Sequence, residues 1–505
     1  MGPVVRIYNQ LFQLLILLLG LTTVAELYAQ SDKTPSQDEL EAMSAEEWKN
    51  QIRREKFDLV VPTTMRKRKI DMWLHVMRET IEPGFGNSET PSNDLFGEYD
   101  LGSKSGVFVF TDVGEDRIER AVMGRRWGNS QRGWSSEDKG TLEKSNAYDI
   151  IAMPVFVLEP VAGPLTEYDY RFKGLREFVE ARDPEVIAVN FRETLGPWPT
   201  TQQINDGISL TDYRLLVREL GEKYASRIVS SEYLIMDYMI TPVPSEIEML
   251  KKMRRDELKI VEDVFSSVER DKTQVGRFGQ IGAGSYEAYV VPFRRMSTGL
   301  SQRGRSAGWE NTVVQGGDII AATSQGVFAY VLREGETEPP ADIKKLWQTY
   351  LDIEQVFAET IRAGRTPREI VADYTERLKE FDIVVEEYQL HMSDPKNDFP
   401  AYAKKHEPGK TILSVDHHGK GMGSSGMKYD IYLGPRIGSY GPDWTLEVPL
   451  PDNHHFVLEY FFYMPSEGPE GMDQYRLFWN HEQVLADEDG VVYLSPPQKE
   501  LILIH

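Results

Sequence analysis

Residues His455–Tyr463 read HFVLEYFFY, an almost unbroken apolar run that encloses a single acid, Glu459. Short runs rich in aromatic and β-branched residues are typical of strands. If Val457, Glu459 and Phe461 share an inward face, the carboxylate is buried and requires a cation or a network of hydrogen-bond donors. The alternative is that this face is exposed at a sheet edge. The aromatic residues on both faces of the run favour burial.

Runs of the same kind follow one another through the last hundred residues of the chain. After Gly409 they are bounded by glycine, proline and aspartate, and they comprise TILSV (411–415), VVYL (491–494) and ELILI (500–504). They predict the strands of a sheet. Upstream, apolar residues recur every three or four positions, as in amphipathic helices: Ile247, Leu250, Leu258, Val261 and Phe265, with Arg254 interrupting, and Ile343, Leu346, Tyr350, Ile353, Phe357 and Ile361. We expect these helices to pack against the sheet.

Two helix starts carry capping signals. Ser245 precedes Glu248 by three residues, just after Pro244, and this spacing predicts a capping box. Further along, Thr366 is followed by Pro367 and Glu369, which supply an N-cap, a first-turn proline and the box acid of another helix. Residues 241–505 are therefore predicted to form one domain of helices and strands.

The preceding region, residues 46–240, has a different pattern. The apolar runs GVFVF (106–110), IIAMPVFVL (150–158) and Val186–Val189 alternate with helix-like segments, which predicts an α/β layer. Residues 124–134, GRRWGNSQRGW, have no such period and are predicted to be a loop.

The first 45 residues are assigned to export. Residues 1–29 carry one early arginine, the apolar stretch Leu11–Leu21 and small residues suited to cleavage at Ala25 or Ala29, the pattern of a secretory signal peptide. An uncleaved anchor is the alternative, but a spanning helix needs about 20 apolar residues. Residues 30–45 are polar and acidic and are predicted to be a linker. We expect an exported protein, periplasmic or secreted, with no membrane contact after cleavage.

The amino-acid composition excludes several kinds of site and partner. The 505 residues include no cysteine, which excludes thiolate ligands, thiol catalysis and disulfides. The formal net charge is −23. Nucleic acids and anionic membranes require a positive surface, so neither is an expected partner. The length predicts two or more domains with sizeable cores.

Eight of the nine histidines lie beyond residue 390, and two are adjacent in the stretch LSVDHHGKGMGSSG (413–426). This stretch is a candidate metal site, phosphate loop or flexible turn. Its glycine spacing matches neither nucleotide-binding pattern, and the chain has no GxSxG motif for a serine nucleophile. In an extended segment His417 and His418 point to opposite faces, so at most one reaches a site and the other is expected to be solvated. Imidazoles and carboxylates suit zinc, manganese or cobalt.

The order of segments resembles exported metallopeptidases of the Xaa-Pro aminopeptidase, prolidase and creatinase family. The matching segments include residues 204–235, GGDII (316–320), AYVLREGETEPP (329–340), GPRIGSYGPDW (434–444), VLEYFFY (457–463) and VVYLSPPQKELILI (491–504). The resemblance implies a creatinase-like α/β domain and then an α+β pita-bread domain, in which helices cover a curved antiparallel sheet. It also implies a homodimer and a peptide or proline-containing ligand. Active relatives hold two divalent metals with two Asp, one His and two Glu, and cleave the bond before proline.

Residue by residue, the resemblance implies an eroded metal site. In GDIIAATSQG, Thr323 falls at or next to the first ligand Asp, and the hairpin that ends at the second Asp is deleted. His418 is the best match to the ligand His, and Glu459 matches the first Glu. The last Glu falls at His481, with Glu482 one residue away. Two lost carboxylates leave too little negative charge for paired dications.

The sequence thus supports more than one function. The first is an exported, aminopeptidase-like protein that binds peptides and is weakly active or non-catalytic. The second is an active metal-dependent hydrolase with a rebuilt single-metal site at His418, Glu459 and His481, which would hold Mn, Co or Zn. A third is a scaffold or dimerisation partner of an active relative. The sequence assigns no catalytic residue and leaves open whether any ion binds.

Overall fold

The structure is a computed structural model. The part of the chain that it describes comprises residues 35–77, 101–102, 106–114, 117–123, 142–152, 172, 174–193, 207–274, 277–281, 286–293, 313–322, 326–386, 409–419, 421–422, 428–429, 434–438, 443–465 and 475–505. The predicted signal peptide (1–29), the predicted loop (124–134), Thr323 and most of the glycine-rich stretch after Gly419 lie outside the described residues.

Helices begin earlier than the sequence predicts. Helix α1 (Gln37–Ala42) lies inside the predicted linker, and α2 (Ala45–Glu55) begins at its last residue. The reason is local, because Ser36 and Glu39 form a capping box for α1. Leu40 is 1% exposed, so α1 also has a place in the core. A π-helical turn (Lys56–Val60) then leads into α3 (Val61–Arg68).

A mixed six-stranded sheet forms the N-terminal layer. Its order is β4-β3-β2-β1-β5-β6, with bounds β1 Met72–Met77, β2 Gly106–Asp112, β3 Ile118–Met123, β4 Ile150–Ala152, β5 Ile187–Val189 and β6 Ile228–Ser230. Helices α4 (Leu175–Glu180), α5 (Leu210–Ala225) and α6 (Glu232–Ile240) accompany it. Both faces are covered, since Trp73 lies in one core and Leu74 in another. The predicted α/β layer is confirmed, although of residues 150–158 only the first three form a described strand.

Helix α7 (Pro244–Ser267) connects to the C-terminal domain, and its capping differs from the prediction. Pro244 occupies the first helical position, and the Val243 N–H donates to the Glu246 carboxylate at 3.3 Å. The predicted box of Ser245 with Glu248 is wrong because the Ser245 N–H and hydroxyl both donate to Glu55 instead. The predicted apolar stripe is confirmed.

In the described residues, the C-terminal domain contains two large sheets, a two-stranded sheet of β13 with β14, and two further α-helices. One large sheet has the order β19-β10-β9-β8-β7, and the other large sheet has β11-β12-β16-β17-β18 with β15 also paired to β12. The bounds are β7 Arg277–Ile281, β8 Tyr286–Phe293, β9 Ile319–Ala322, β10 Phe328–Val331, α8 Ala341–Thr360, α9 Pro367–Leu378, β11 Ile383–Glu386, β12 Thr411–Gly419, β13 Gly421–Met422, β14 Lys428–Tyr429, β15 Arg436–Gly438, β16 His454–Pro465, β17 Tyr475–Ala486, β18 Val491–Tyr493 and β19 Ile502–Ile504. The four predicted strand runs are confirmed, as is the capping box of Thr366 and Glu369.

The second sheet has two chemically different faces. Strand β16 pairs antiparallel with β12 and β17 in constant registers, for example Val415 with Tyr460 and Glu459 with His481. Val415, Leu458 and Tyr460 point towards α8 and α9 and belong to the core between these helices and the sheet. Alternation along a strand places His418, Glu459 and His481 on the opposite face.

The predicted fold class is confirmed: an α/β N-terminal domain precedes an α+β domain in which helices cover a largely antiparallel sheet. Among the described helices, none is both long enough and apolar enough to cross a membrane.

Candidate metal centre

Three neighbouring strands bring His418, Glu459 and His481 together. Glu459 on β16 is directly opposite His481 on β17. His418 on β12 is opposite Val457, two residues from Glu459 and therefore on the same face. One ligand atom from each side chain lies within 4.8 Å of the others, and His418 Nε2 lies 3.2 Å from Glu459 Oε2. The sequence named these three residues, and the structure places them side by side.

The His418 ring is oriented by its own strand end. Its Nδ1 lies 3.2 Å from the carbonyl oxygen of Gly419. Because a carbonyl can only accept, Nδ1 carries a proton when this bond forms, and Nε2 faces Glu459. When Nε2 is protonated, it donates a hydrogen bond to the Glu459 carboxylate. When Nε2 carries no proton, its lone pair points towards Glu459, where a cation could accept it. A fixed tautomer of this kind is what a metal-binding imidazole requires.

Glu459 is anionic in this environment. Its side chain is 16% exposed and that of His418 only 2%. Burial by itself would raise the pKa of Glu459, but the hydrogen bond from His418 and the nearby charges of His481 and His418 hold that pKa below its usual range. The acid thus offers a charged oxygen between two imidazoles.

The donor set fits one divalent cation. Two imidazoles and one carboxylate, without thiolates, suit zinc, manganese or cobalt and leave coordination positions open. An ion held at about 2.0 to 2.2 Å with tetrahedral geometry separates its ligand atoms by roughly 3.5 Å. The pair His418–Glu459 already lies near that separation. His481 offers its ligand atom within 4.8 Å of the other two.

Two charged residues on the same face were not singled out from the sequence. Arg436, on β15 opposite His418, donates from Nε and Nη2 to the two carboxylate oxygens of Asp416, at 2.7 Å each. Both residues are buried, Arg436 at 5% and Asp416 at 4% exposure. The stretches VDHHG and GPRIG contain them, but only the pairing of β15 with β12 brings them together.

On the other side of the cluster lies an aromatic pair. The rings of Phe461 and Trp479 are stacked, with centroids 5.5 Å apart and an angle of 11° between planes. Trp479 also meets His481 edge-on at 5.8 Å. Trp479 stays partly exposed, so an apolar surface borders the cluster.

The neighbours of these residues in sequence lie on the opposite face. The expectation that the second histidine is solvated is wrong: His417 is 1% exposed and meets Phe357 edge-on at 4.6 Å, and burial lowers its pKa to about 3. Helix α8 covers this face at His417, where Phe357 lies against the imidazole ring. Glu482 is bound at 2.9 Å by Arg254 of α7 and is absent from the three-residue group. Thr323 lies outside the described residues.

Comparison with known proteins finds no matching family model. No curated protein matches either. Solved structures do match. An X-Pro aminopeptidase from Thermotoga maritima is 14% identical, over 88% of this chain and 100% of that one, with a TM-score of 0.49. A Xaa-Pro dipeptidase from Bacillus anthracis is 12% identical over 90% and 100%, with a TM-score of 0.46.

A prolidase from Pyrococcus horikoshii is 12% identical over 88% of this chain and 99% of that one, with a TM-score of 0.43. These solved structures belong to the group that the sequence resembles. At sequence identities of 12–14%, the similarity concerns the fold alone. The chemistry of the site is therefore argued from the residues of this chain.

Proposed function

We propose that the protein is an exported, Xaa-Pro aminopeptidase-like protein that binds one divalent cation at His418, Glu459 and His481 and acts on, or retains, peptide ends there. The observation that carries the proposal is the convergence of three ligand atoms within 4.8 Å. The orientation of the His418 ring by the Gly419 carbonyl supports it. The ion is zinc, manganese or cobalt.

Each part of the site has a role in this proposal. When bound, a divalent cation polarises a carbonyl group or a water molecule. Glu459 supplies the anionic oxygen, and the two imidazoles complete the ligand set. Trp479, stacked on Phe461, offers an apolar surface to a ring such as that of proline. The resemblance implies four carboxylates around two metals in active relatives, whereas this group offers one carboxylate to a single ion, so we expect weak peptidase activity.

Metal titration tests the proposal. Calorimetry with zinc, manganese and cobalt should give one ion per chain for the purified protein and none for the variants H418A and H481A. The matched control is H417L, because it removes the adjacent imidazole from the opposite, apolar face, and it should keep the ion. Circular dichroism checks that each variant is folded. Equal binding by H418A and the parent would overturn the site.

A second candidate function is binding of peptides without cleavage. The composition of the group formed by His418, Glu459 and His481 supports it. Glu459 is the one carboxylate among these three described residues. Xaa-Pro peptides incubated with metal-loaded protein separate the two functions. Release of the N-terminal residue that disappears in H418A supports the hydrolase, whereas peptide binding without release supports the second candidate.

Export and dimerisation complete the proposal. Residues 1–29 support a periplasmic or secreted location, and N-terminal sequencing of the mature protein should begin after Ala25 or Ala29. A mature chain that retains Met1 would contradict cleavage of a signal peptide.

The homodimer is proposed from the family resemblance, and light scattering in solution should give twice the mass of the chain.

A further inference from the structure

A fourth ligand-type side chain lies on the face that carries the three candidate ligands. Val415 is opposite Tyr460 and His418 is opposite Val457, so the constant register places Asp416 across from Glu459. Successive residues alternate between faces, which puts Asp416 on the side of His418. The backbone thus positions two acids next to each other, but only Glu459 belongs to the three-residue cluster.

Arg436 accounts for the difference between the two acids. The guanidinium binds both oxygens of Asp416 at 2.7 Å, the fork geometry that fits a carboxylate best. Both side chains are about 6% exposed, so water does not weaken the pair. The oxygens of Asp416 are therefore directed to Arg436.

The backbone holds Arg436 in this position. Strand β15 lies directly against β12, with Gly438 opposite Asp416. A Cβ atom at Gly438 would lie 2.5 Å from the carbonyl oxygen of Val415, which is closer than such atoms approach. A glycine at this position therefore lets β15 approach closely enough for Arg436 to reach Asp416.

We propose that Arg436 determines the metal preference of the site by withholding Asp416 from its ligand set. This rests on the proposed function, that is, on cation binding by the cluster. With Asp416 withheld, two imidazoles dominate, and such a set favours zinc. With Asp416 released, the ligands become two imidazoles and two carboxylates, which bind manganese much better than the parent set does.

The test compares manganese and zinc binding by the parent, R436M and the double variant D416N/R436M, using calorimetry and elemental analysis. R436M should bind manganese at least about tenfold more tightly than the parent, with a smaller gain for zinc, because carboxylates favour manganese. The double variant should lose the gain. R476M is the matched control, since Arg476 is a buried arginine at the far end of β17 (7% exposed), and its manganese affinity should equal that of the parent.

Each outcome decides a separate point. If the parent binds an ion and R436M binds manganese no more tightly, the inference is wrong and the proposed function stands. A gain that persists in D416N/R436M also overturns the inference, because Asp416 is then not the source. If R436M binds an ion and the parent does not, the inference stands and the proposed function of the parent falls. Binding by neither protein overturns both.

A second variant keeps the test informative if R436M does not fold. R436Q replaces the guanidinium by a shorter, neutral side chain that can still donate hydrogen bonds from its amide. The inference predicts that manganese binds to R436Q more tightly than to the parent, with a smaller gain for zinc. Unchanged affinities in folded R436Q would overturn the inference.

Discussion

The two faces of the sheet formed by β12, β16 and β17 both bury acids, but they satisfy them differently. On the face covered by α8, Glu354 accepts hydrogen bonds from the Tyr460 hydroxyl at 2.5 Å, from Asn480 at 3.1 Å and from Tyr493. On the opposite face, Glu459 lies between two histidines. Hydroxyl and amide hydrogens can only donate, whereas an imidazole can also offer a lone pair to a cation.

The pKa values of Glu354 and Glu459 shift in opposite directions because the two acids have different partners. Burial raises the pKa of Glu354, and three hydrogen bonds from neutral groups do not offset it. For Glu459, the hydrogen bond from His418 and the electrostatic influence of His481 and His418 hold the pKa below its usual range in spite of burial. Burial alone therefore does not mark a metal site. The partners of the buried acid decide whether it can hold an ion.

The largest expected effect is at the ion pair on the helix-covered side. Arg254 binds Glu482 at 2.9 Å and Glu257 at 3.3 Å, and its side chain is 5% exposed. Burial raises the pKa of Glu482 to about 8 even beside Arg254. Above that pH the variant R254A leaves two buried carboxylates without their cation and should lower the free energy of unfolding by about 3 to 5 kcal/mol. Urea denaturation measures this. K259A, at an exposed lysine on the same helix, should change stability by less than about 0.5 kcal/mol.

The second prediction concerns the opposite face. A cation that binds only the folded protein should stabilise it by about 2.7 kcal/mol when its free concentration is a hundred times Kd. Thermal unfolding with and without zinc measures the effect. E459Q should lose the stabilisation because the anionic ligand is gone, while E354Q should retain it. Equal stabilisation of E459Q and the parent would contradict the assignment.

The third prediction uses the pH dependence of Glu354. Its folded pKa is raised, so the folded state holds a proton that the unfolded state releases. This contribution to stability is present below the ordinary carboxyl pKa and is lost as pH rises through the raised folded value. The variant E354Q should therefore show a flatter decline of stability with rising pH. Urea midpoints across that range measure it, and an unchanged slope would contradict the prediction.

The last prediction concerns another buried histidine, His75, in the N-terminal sheet. Burial lowers the pKa of His75 to about 3. A depressed histidine pKa contributes stability that is present above the ordinary value and lost as pH falls from about 6.5. H75F should reduce the loss of stability between pH 6.5 and 4. H505N, at an exposed histidine, should leave the profile unchanged.

Periodicity predicted the elements whose signal is local. The run HFVLEYFFY lies within β16, and the stripes of α7 and α8 are buried or partly buried. The candidate ligands His418, Glu459 and His481 came from the family resemblance together with the alternation of strand faces. Their proximity follows from strand pairing, which places Glu459 opposite His481.

The remaining features depend on contacts between segments that are distant in sequence. Ser245 does not cap its helix because Glu55, far away in the chain, takes its hydrogen bonds. The pairing of Asp416 with Arg436 requires β15 to lie against β12. The burial of His417 requires α8 on that face. The spacing of residues within one segment therefore cannot predict these contacts.

The uninterrupted register of β16 has a consequence for how this chain can evolve. Inserting or deleting one codon within the strand would shift every later side chain to the other surface. Glu459 would exchange places with a neighbour such as Leu458 or Tyr460, so the ligand cluster and the hydrogen bonds to Glu354 would fail together. Single substitutions can alter either cluster separately. We therefore expect this strand to tolerate amino-acid replacement far better than any change in its length.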